Sequence, residues 1–340
     1  MVKKLFPRIF PRWFSHSKTP VKKHGTPPPV VLLPFAELDF LIGTYNREGR
    51  APDVFCLGDS VWERLSRDDD DQRNMGQLLS DSLKHVLDVV SISHSAYNLR
   101  IYLNFIKTLE IMRNRPKYIV LPINLRSFSP QWFMNPLWQF ERENEILKEL
   151  CRNPAMNLPM IEQVIEYPGL YNEFDKMPVN YPLLEYRTVQ EFRKIIASVP
   201  STDEEVFQRL RQIFIFHYMH PLVTGHPLLN HLDEALWKLS EMNINAFVYI
   251  TPINHQAGAR FCGDEFSSQV SLNITRVNEV INRHLPNGML RFIDYGALLG
   301  SEYFFNLDNA TEHLNENGRK ILVEHMVKEL ISLMDERKGK

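Results

Sequence analysis

The sequence has few cysteines, no long apolar run and none of the common nucleotide-binding motifs. Its three cysteines are an odd number at wide spacing without a C-x-x-C pair, which is typical of a reducing compartment rather than a disulfide scaffold. No run approaches the roughly 18 apolar residues of a membrane-spanning helix, and prolines and arginines between Pro7 and Arg12 interrupt any signal-peptide core. Neither a phosphate-binding loop nor a dinucleotide fingerprint is present. These absences predict a cytoplasmic protein.

Acidic residues are absent from the first part of the chain. The whole chain has 39 Lys and Arg against 41 Asp and Glu, which argues against a nucleic-acid partner, but residues 1–24 hold seven of these bases and no acid. Residues 1–36 also hold seven of the 22 prolines, so they are predicted to form an extended arm and linker. Bases alternate with large apolar residues in the segment 3–23, which favours peripheral contact with an anionic surface at the inner face of a membrane. The alternative is a solvated, partly docked arm.

Short apolar runs rich in β-branched residues begin after this arm. They span residues 54–57, 89–92, 118–121, 246–250 and 290–293, and helix-period sequence separates most of them. Such alternation predicts βαβ units and a parallel sheet covered on both faces. The expected fold class is therefore α/β, a three-layer α/β/α architecture with a doubly wound, flavodoxin-like parallel sheet.

The gap between the third and fourth runs is about 120 residues, far longer than an ordinary crossover. Several stretches within it have helical periodicity, which predicts a large helical insertion after the third strand. The expected organisation is an arm over 1–36, an α/β domain over 37–129 and 243–340, and an inserted helical cap over 130–242.

Chemically active side chains follow the predicted strands. Ser60, in Gly58-Asp59-Ser60, follows the first run, and Asn124 follows the third. Helical periodicity predicts a closing helix over residues 318–334, and His313 lies in the segment before it. Because carboxyl ends of parallel strands meet at one edge of a sheet, His313 is a candidate base for Ser60, which is a poor nucleophile until its proton is accepted. A histidine in such a loop also occurs in capping or surface roles.

The remaining parts of a serine site have candidates too. Asp308 is the aspartate in the His313 segment, and an aspartate is the usual residue that orients such a histidine. Glu312 is adjacent to the histidine in sequence. The backbone N–H groups of Ser60 and of the Ser95-Ala96 turn, with the Asn124 amide, are candidate donors to an oxyanion.

These segments resemble the SGNH hydrolase superfamily, also called GDSL esterases and lipases, over about residues 53 to 336 without the cap. The resemblance implies Ser60 as nucleophile and oxyanion donor, Asn124 as a second oxyanion donor, and His313 as base. Asp308, as partner of His313, and Ala96, as a third oxyanion donor, remain candidates from the sequence alone. Ala310 stands where the family has an aspartate, and the second block has no clear glycine. Three alternatives follow: Asp308 substitutes for that aspartate, a Ser-His dyad operates, or the chain is a non-catalytic binding or scaffold protein.

The resemblance also implies a substrate class, because the family includes carbohydrate acetylesterases and O-acetyltransferases. The expected activity proceeds through an acyl-serine intermediate and is O-acetyl hydrolysis from, or transfer to, a carbohydrate. Hydrolysis needs no cofactor, whereas a transferase could use acetyl-CoA as donor. The partner is an acylated small molecule or glycan, and the expected substrate-binding residues are Asp59, Arg126 and His226.

Four histidines fall within a short segment of the predicted cap. They are His217, His220, His226 and His231. Pro221 ends the helix that carries the first two, and no cysteine or spaced carboxylate pair joins them, so no metal site is predicted. Cap packing or a substrate-facing wall is the expected use. The acidic run over residues 68–71 lacks the spacing of a calcium loop and is expected to be a solvated loop.

Overall fold

The computed structural model describes residues 30–33, 45–155, 161–164, 168–181, 183–308 and 310–338. The strands are β1 (Val30–Leu33), β2 (Val54–Gly58), β3 (Val89–Ser93), β4 (Tyr118–Ile123), β5 (Ile161–Val164), β6 (Asn245–Ile250) and β7 (Leu290–Asp294). The helices are α1 (Tyr45–Glu48), α2 (Ser60–Glu63), α3 (Met75–Leu83), α4 (Leu99–Thr108), α5 (Pro130–Phe133), α6 (Glu141–Arg152), α7 (Pro168–Lys176), α8 (Val189–Ala197), α9 (Asp203–Tyr218), α10 (Pro227–Glu241), α11 (His255–Cys262), α12 (Asp264–His284) and α13 (Glu316–Lys338). None of the described helices is long and apolar enough to cross a bilayer.

Five of the strands form one parallel sheet, in the order β3-β2-β4-β6-β7. Every residue of β2, β4 and β6 is buried, which explains why these runs are almost continuously apolar. The chain moves from β2 to β3 on one side and then returns to β4 on the other. This order is that of a flavodoxin-like doubly wound sheet, so the predicted fold class is confirmed.

Successive side chains of each strand point to opposite faces of the sheet, so alternate residues pack in two separate hydrophobic cores. On β2, Cys56 packs in the core that includes residues of α3 and α13. Its neighbours Phe55 and Leu57 pack in the core that includes residues of α4, α10 and α12. These two cores are the contacts between the sheet and its two helical layers.

The segment predicted to be a cap shares the second of these cores. Buried residues of α6, α8, α9 and α10 all belong to it, together with residues of the sheet. The helix α10 packs against α4 and α12 and leads directly into β6. It therefore serves as a crossover helix of the sheet although it lies within the predicted insertion; the division into domain and cap otherwise stays a prediction.

Part of the predicted arm is paired with that insertion. β1 runs antiparallel to β5, with Val30 opposite Val164 and Leu33 opposite Ile161. Residues 30–33 are thus a strand of a second, two-stranded sheet rather than an extended linker. The basic segment 3–23 lies outside the described residues.

The acidic run after the proposed nucleophile is not wholly a solvated loop. The Arg319 guanidinium, on α13, donates to the Asp69 carboxylate at 2.7 Å, and the two side chains are 0% and 5% exposed. The same guanidinium donates to the Leu314 carbonyl at 3.0 Å. This pair fixes the loop after α2 to the start of α13 and so supports the adjoining His313 segment.

Candidate active site

Ser60 begins α2 at the carboxyl edge of the sheet, directly after β2. Asp59 caps this helix, since its carboxylate accepts a hydrogen bond from the Val61 N–H at 2.9 Å. A Cβ atom at Gly58 would clash with the Trp62 side chain, so the tight turn requires glycine there. Ser60 is 7% exposed, and its N–H belongs to the first turn of the helix, where backbone donors have no partner within the helix.

His313 contacts this serine from the other end of the chain. Its Nε2 lies 3.0 Å from Ser60 Oγ, across a separation of 253 residues. The Phe305 N–H donates to the His313 carbonyl at 3.0 Å, and the His313 N–H donates to Thr311 Oγ1 at 3.3 Å, which hold the loop in place. The pKa of His313 lies well below its ordinary value because the ring is desolvated and Arg126 and Arg64 are near it. The neutral imidazole that results can accept a proton from Ser60.

Asp308 does not orient this histidine. Its carboxylate forms an ion pair with Arg260, and its side chain is 42% exposed. Within the described ranges, no carboxylate makes a hydrogen bond to His313. The expected partner is therefore corrected: the loop directs Asp308 toward α11, and the contact that the structure gives is a Ser60–His313 dyad.

Asn124 directly follows β4, the strand that pairs with β2 on the side away from β3. Its Oδ1 accepts the Arg126 N–H at 3.0 Å, and its Nδ2 donates to Asp59 Oδ2 at 2.8 Å. These two bonds fix the amide orientation, and the second hydrogen of Nδ2 is the one that can serve an oxyanion. Asn124 is 6% exposed.

Asp59 acts inside the site rather than toward a substrate. It is 3% exposed, and its carboxylate oxygens accept from Val61 and Asn124. Burial raises its pKa, while these two hydrogen bonds and Arg126 oppose that rise. The substrate-binding role expected for Asp59 is replaced by one of positioning the serine turn and the Asn124 amide.

Ala96 lies in the turn that follows β3. Its φ of 68° lies in the left-handed region that favours glycine. The turn is tied to α2 because Ser95 Oγ donates to Glu63 Oε2 at 2.8 Å, and to β2 because the His94 N–H donates to the Gly58 carbonyl. Ala96, which lies near the place where the SGNH family's second block has a glycine, therefore has a backbone conformation typical of glycine.

Arg126 is expected from the sequence to bind substrate, but its guanidinium is buried in an ion pair. Its Nη2 lies 3.0 Å from Glu312 Oε2, and the two side chains are 8% and 0% exposed. The Tyr218 hydroxyl also donates to Glu312, and the guanidinium lies over the Trp132 ring at 4.7 Å. Glu312, the sequence neighbour of His313, thus faces Arg126. Neither its burial nor its partner has a local signal in the sequence.

His226 is likewise used within the fold. It caps α10, where its Nδ1 accepts the Leu228 N–H at 3.2 Å, and its ring contacts Phe133 and Phe128. Burial lowers its pKa to about 4. The structure therefore gives it a capping role in place of the expected substrate contact.

The other histidines of the cluster pack in the interior or near it. His217 and His220 are buried, and desolvation lowers the pKa of each to about 3. In the part of the chain that the structure describes, no three histidine, cysteine or acidic side chains are grouped so as to hold a metal ion.

Comparisons with known proteins give matches among solved structures alone. No protein-family model and no curated protein sequence matches the chain. A catalytic mutant of an acetylxylan esterase from Geobacillus stearothermophilus aligns with 11% identity over 81% of this chain and 92% of its own, with a TM-score of 0.40. A carbohydrate acetylesterase family member from Sinorhizobium meliloti aligns with 11% identity over 83% and 98%, also with a TM-score of 0.40.

Proposed function

We propose that the protein is a serine esterase of SGNH type. The observation that carries this proposal is the 3.0 Å contact between His313 Nε2 and Ser60 Oγ. It lies where the order of the sheet reverses between β2 and β4, which is where parallel α/β sheets bind ligands. A buried serine at the start of a helix, in contact with a neutral imidazole, is equipped for nucleophilic catalysis.

The reaction begins when Ser60 Oγ attacks the ester carbonyl carbon and its proton moves to His313 Nε2. The carbonyl oxygen becomes an oxyanion, for which the N–H groups of Ser60 and Ala96 and the Asn124 amide are the donors. Collapse of this intermediate breaks the bond to the alcohol, which leaves with the proton from His313, and an acyl-serine remains. Water or a second hydroxyl group then attacks the acyl carbon and gives its proton to His313 Nε2. The bond to Ser60 Oγ breaks, Oγ takes the proton from His313, and the acyl group leaves as the free acid or as the new ester.

The proposed substrate is an O-acetylated carbohydrate or other acylated small molecule. An acetyl group is what the resemblance to carbohydrate acetylesterases and O-acetyltransferases implies. Whether water or a sugar hydroxyl resolves the acyl-serine decides between hydrolysis, which needs no cofactor, and transfer, for which acetyl-CoA is a candidate donor. Both outcomes use the same residues.

Labelling with a fluorophosphonate probe and turnover of p-nitrophenyl acetate test the proposal. Wild-type protein should label at Ser60 and release p-nitrophenol, whereas Ser60→Ala should do neither. Ser268→Ala, at an exposed serine of α12, is the matched control and should behave as wild type. Folded wild-type protein that stays unlabelled under conditions that label a known esterase would show a non-catalytic binding protein instead.

Transfer is tested separately. Protein is incubated with acetyl-CoA and a glycan, and acetylated product is sought by mass spectrometry. Product that depends on Ser60 indicates a transferase, and release of free acetate from an acetylated glycan indicates a hydrolase.

A further inference from the structure

We propose that the buried Arg126–Glu312 ion pair holds the His313 loop at a fixed position relative to Asn124. We also propose that Glu312 offsets the positive charge of Arg126 beside the imidazole. This inference rests on the proposed serine chemistry. It assigns a task to two residues that touch neither the nucleophile nor the reacting carbonyl.

The pair connects the two loops that carry the proposed chemistry. Arg126 follows Asn124 by two residues, and its N–H donates to the Asn124 side chain at 3.0 Å. Glu312 directly precedes His313, and the Arg126 guanidinium reaches it at 3.0 Å. One arginine therefore orients the amide on the β4 side through its backbone, and through its side chain it fixes the residue next to the base.

Two further elements hold the pair in place. Tyr218, at the end of α9, donates its hydroxyl to Glu312, and Trp132, on α5, stacks against the guanidinium. Since both charged side chains are almost fully buried, loss of either one leaves the other without compensation. The arrangement is thus more rigid than a surface ion pair, whose partners exchange with water.

The second proposed role of the pair concerns the electrostatic cost of protonating His313. The charged and titratable groups near His313 and the pair are Asp59, Glu63, Arg64, Arg126, His217, Tyr218 and Glu312. Arg126 and Arg64 both oppose a proton on His313, and no carboxylate in the described chain hydrogen-bonds the ring. Burial raises the pKa of Glu312, while Arg126 and the Tyr218 hydroxyl oppose that rise. In its ionised form, Glu312 offsets part of the electrostatic field of Arg126 at 3.0 Å. It thereby limits the electrostatic barrier to forming the imidazolium that the reaction requires.

The experiment follows the acid limb of the pH profile, with p-nitrophenyl acetate turnover and fluorophosphonate labelling as readouts. Glu312→Gln leaves Arg126 uncompensated, so the limb should move to lower pH by at least about half a unit, with kcat at least about tenfold lower and KM little changed. Arg126→Met should move the limb to higher pH. Arg126→Lys keeps the charge but not the planar fork, so it should lower kcat and leave the limb in place.

The double variant Arg126→Met/Glu312→Gln covers the case in which a single variant fails to fold, because it leaves no uncompensated buried charge. Its limb should return to the wild-type position while kcat stays low. Asp175→Asn, which removes an ion pair with Arg193 between α7 and α8, is the control for loss of an ion pair elsewhere. It should move neither the limb nor kcat.

The outcomes separate this inference from the proposed function. If Glu312→Gln and Arg126→Met leave the limb unmoved, or move it in the same direction, with kcat no lower than in Asp175→Asn, the pair has only a structural role. Wild-type protein that never labels at Ser60 refutes the proposed function and this inference together. Labelling of wild-type protein together with an unmoved limb in Glu312→Gln and Arg126→Met refutes only the inference.

Discussion

Replacing Ala96 by glycine tests the oxyanion turn with the smallest possible change. A left-handed backbone costs an ordinary residue about 1–2 kcal/mol, and Ala96 has a φ of 68°. Glycine removes this strain. It also loses a partly buried methyl group, worth at most about 0.8 kcal/mol, and adds about 0.4–1 kcal/mol of chain entropy to the unfolded state. The terms nearly cancel, so the free energy of unfolding should stay within about 0.5 kcal/mol of wild type.

Two companion variants make this result interpretable. Ala259→Gly, at an exposed position inside α11, has no strain to relieve and should lose about 1 kcal/mol. Ala96→Val puts a β-branched residue in the left-handed region, so it should destabilise the protein and displace the backbone N–H. Loss of one oxyanion donor lowers kcat by about 10²-fold or more.

Urea denaturation and p-nitrophenyl acetate turnover measure the two effects. Ala96→Gly should keep wild-type kcat, because the N–H donor remains. If this variant loses as much stability as Ala259→Gly, the backbone argument is wrong. If Ala96→Val turns over as fast as wild type, the N–H of this turn is not an oxyanion donor.

Four further predictions concern the rest of the chain. Asp308→Ala removes a surface ion pair and should change kcat by less than about twofold; a large loss would restore Asp308 as partner of the histidine. Because burial and two arginines lower the pKa of His313, the imidazole stays neutral in mild acid, and the acid limb of kcat against pH should lie below about pH 6.5; a limb above that value contradicts the shift. Asp69→Asn leaves Arg319 buried without its charged partner, so urea denaturation should show a loss of about 3–5 kcal/mol, and a loss under 1 kcal/mol would mean that the pair is solvated. Deletion of residues 1–29 should spare esterase activity and reduce sedimentation with vesicles containing phosphatidylserine, with phosphatidylcholine vesicles as control; loss of activity would assign the arm a part in catalysis.

The sheet and the position of its edge could be predicted from the sequence. Fully buried parallel strands require continuous apolar runs, and the residue after such a run must lie at the edge where ligands bind. This reasoning brings Ser60 and Asn124 to the same edge of the sheet, after the paired strands β2 and β4, and the loop before α13 brings His313 to Ser60. Their catalytic roles remain proposals.

The partners of the charged residues could not be predicted. Whether Arg126 faces a substrate or Glu312 depends on the packing of β4, α9 and the loop before α13, which are far apart in the sequence. Asp308 and Glu312 are both carboxylates close to His313 in sequence. Only the course of the folded loop shows that Asp308 pairs with Arg260 and Glu312 with Arg126. The backbone of Ala96 is also set by the turn between β3 and α4, since an alanine carries no signal for a left-handed conformation.

The distance in sequence between Ser60 and His313 has a consequence for how activity is acquired. The two side chains meet across 253 residues, so the contact closes a loop that includes every strand of the main sheet after β2. Contacts of such separation form late in folding, because the entropy of loop closure is lost before the contact contributes. During synthesis, the serine leaves the ribosome long before its base. Esterase activity should therefore appear only in the last phase of refolding, after the helical signal has returned.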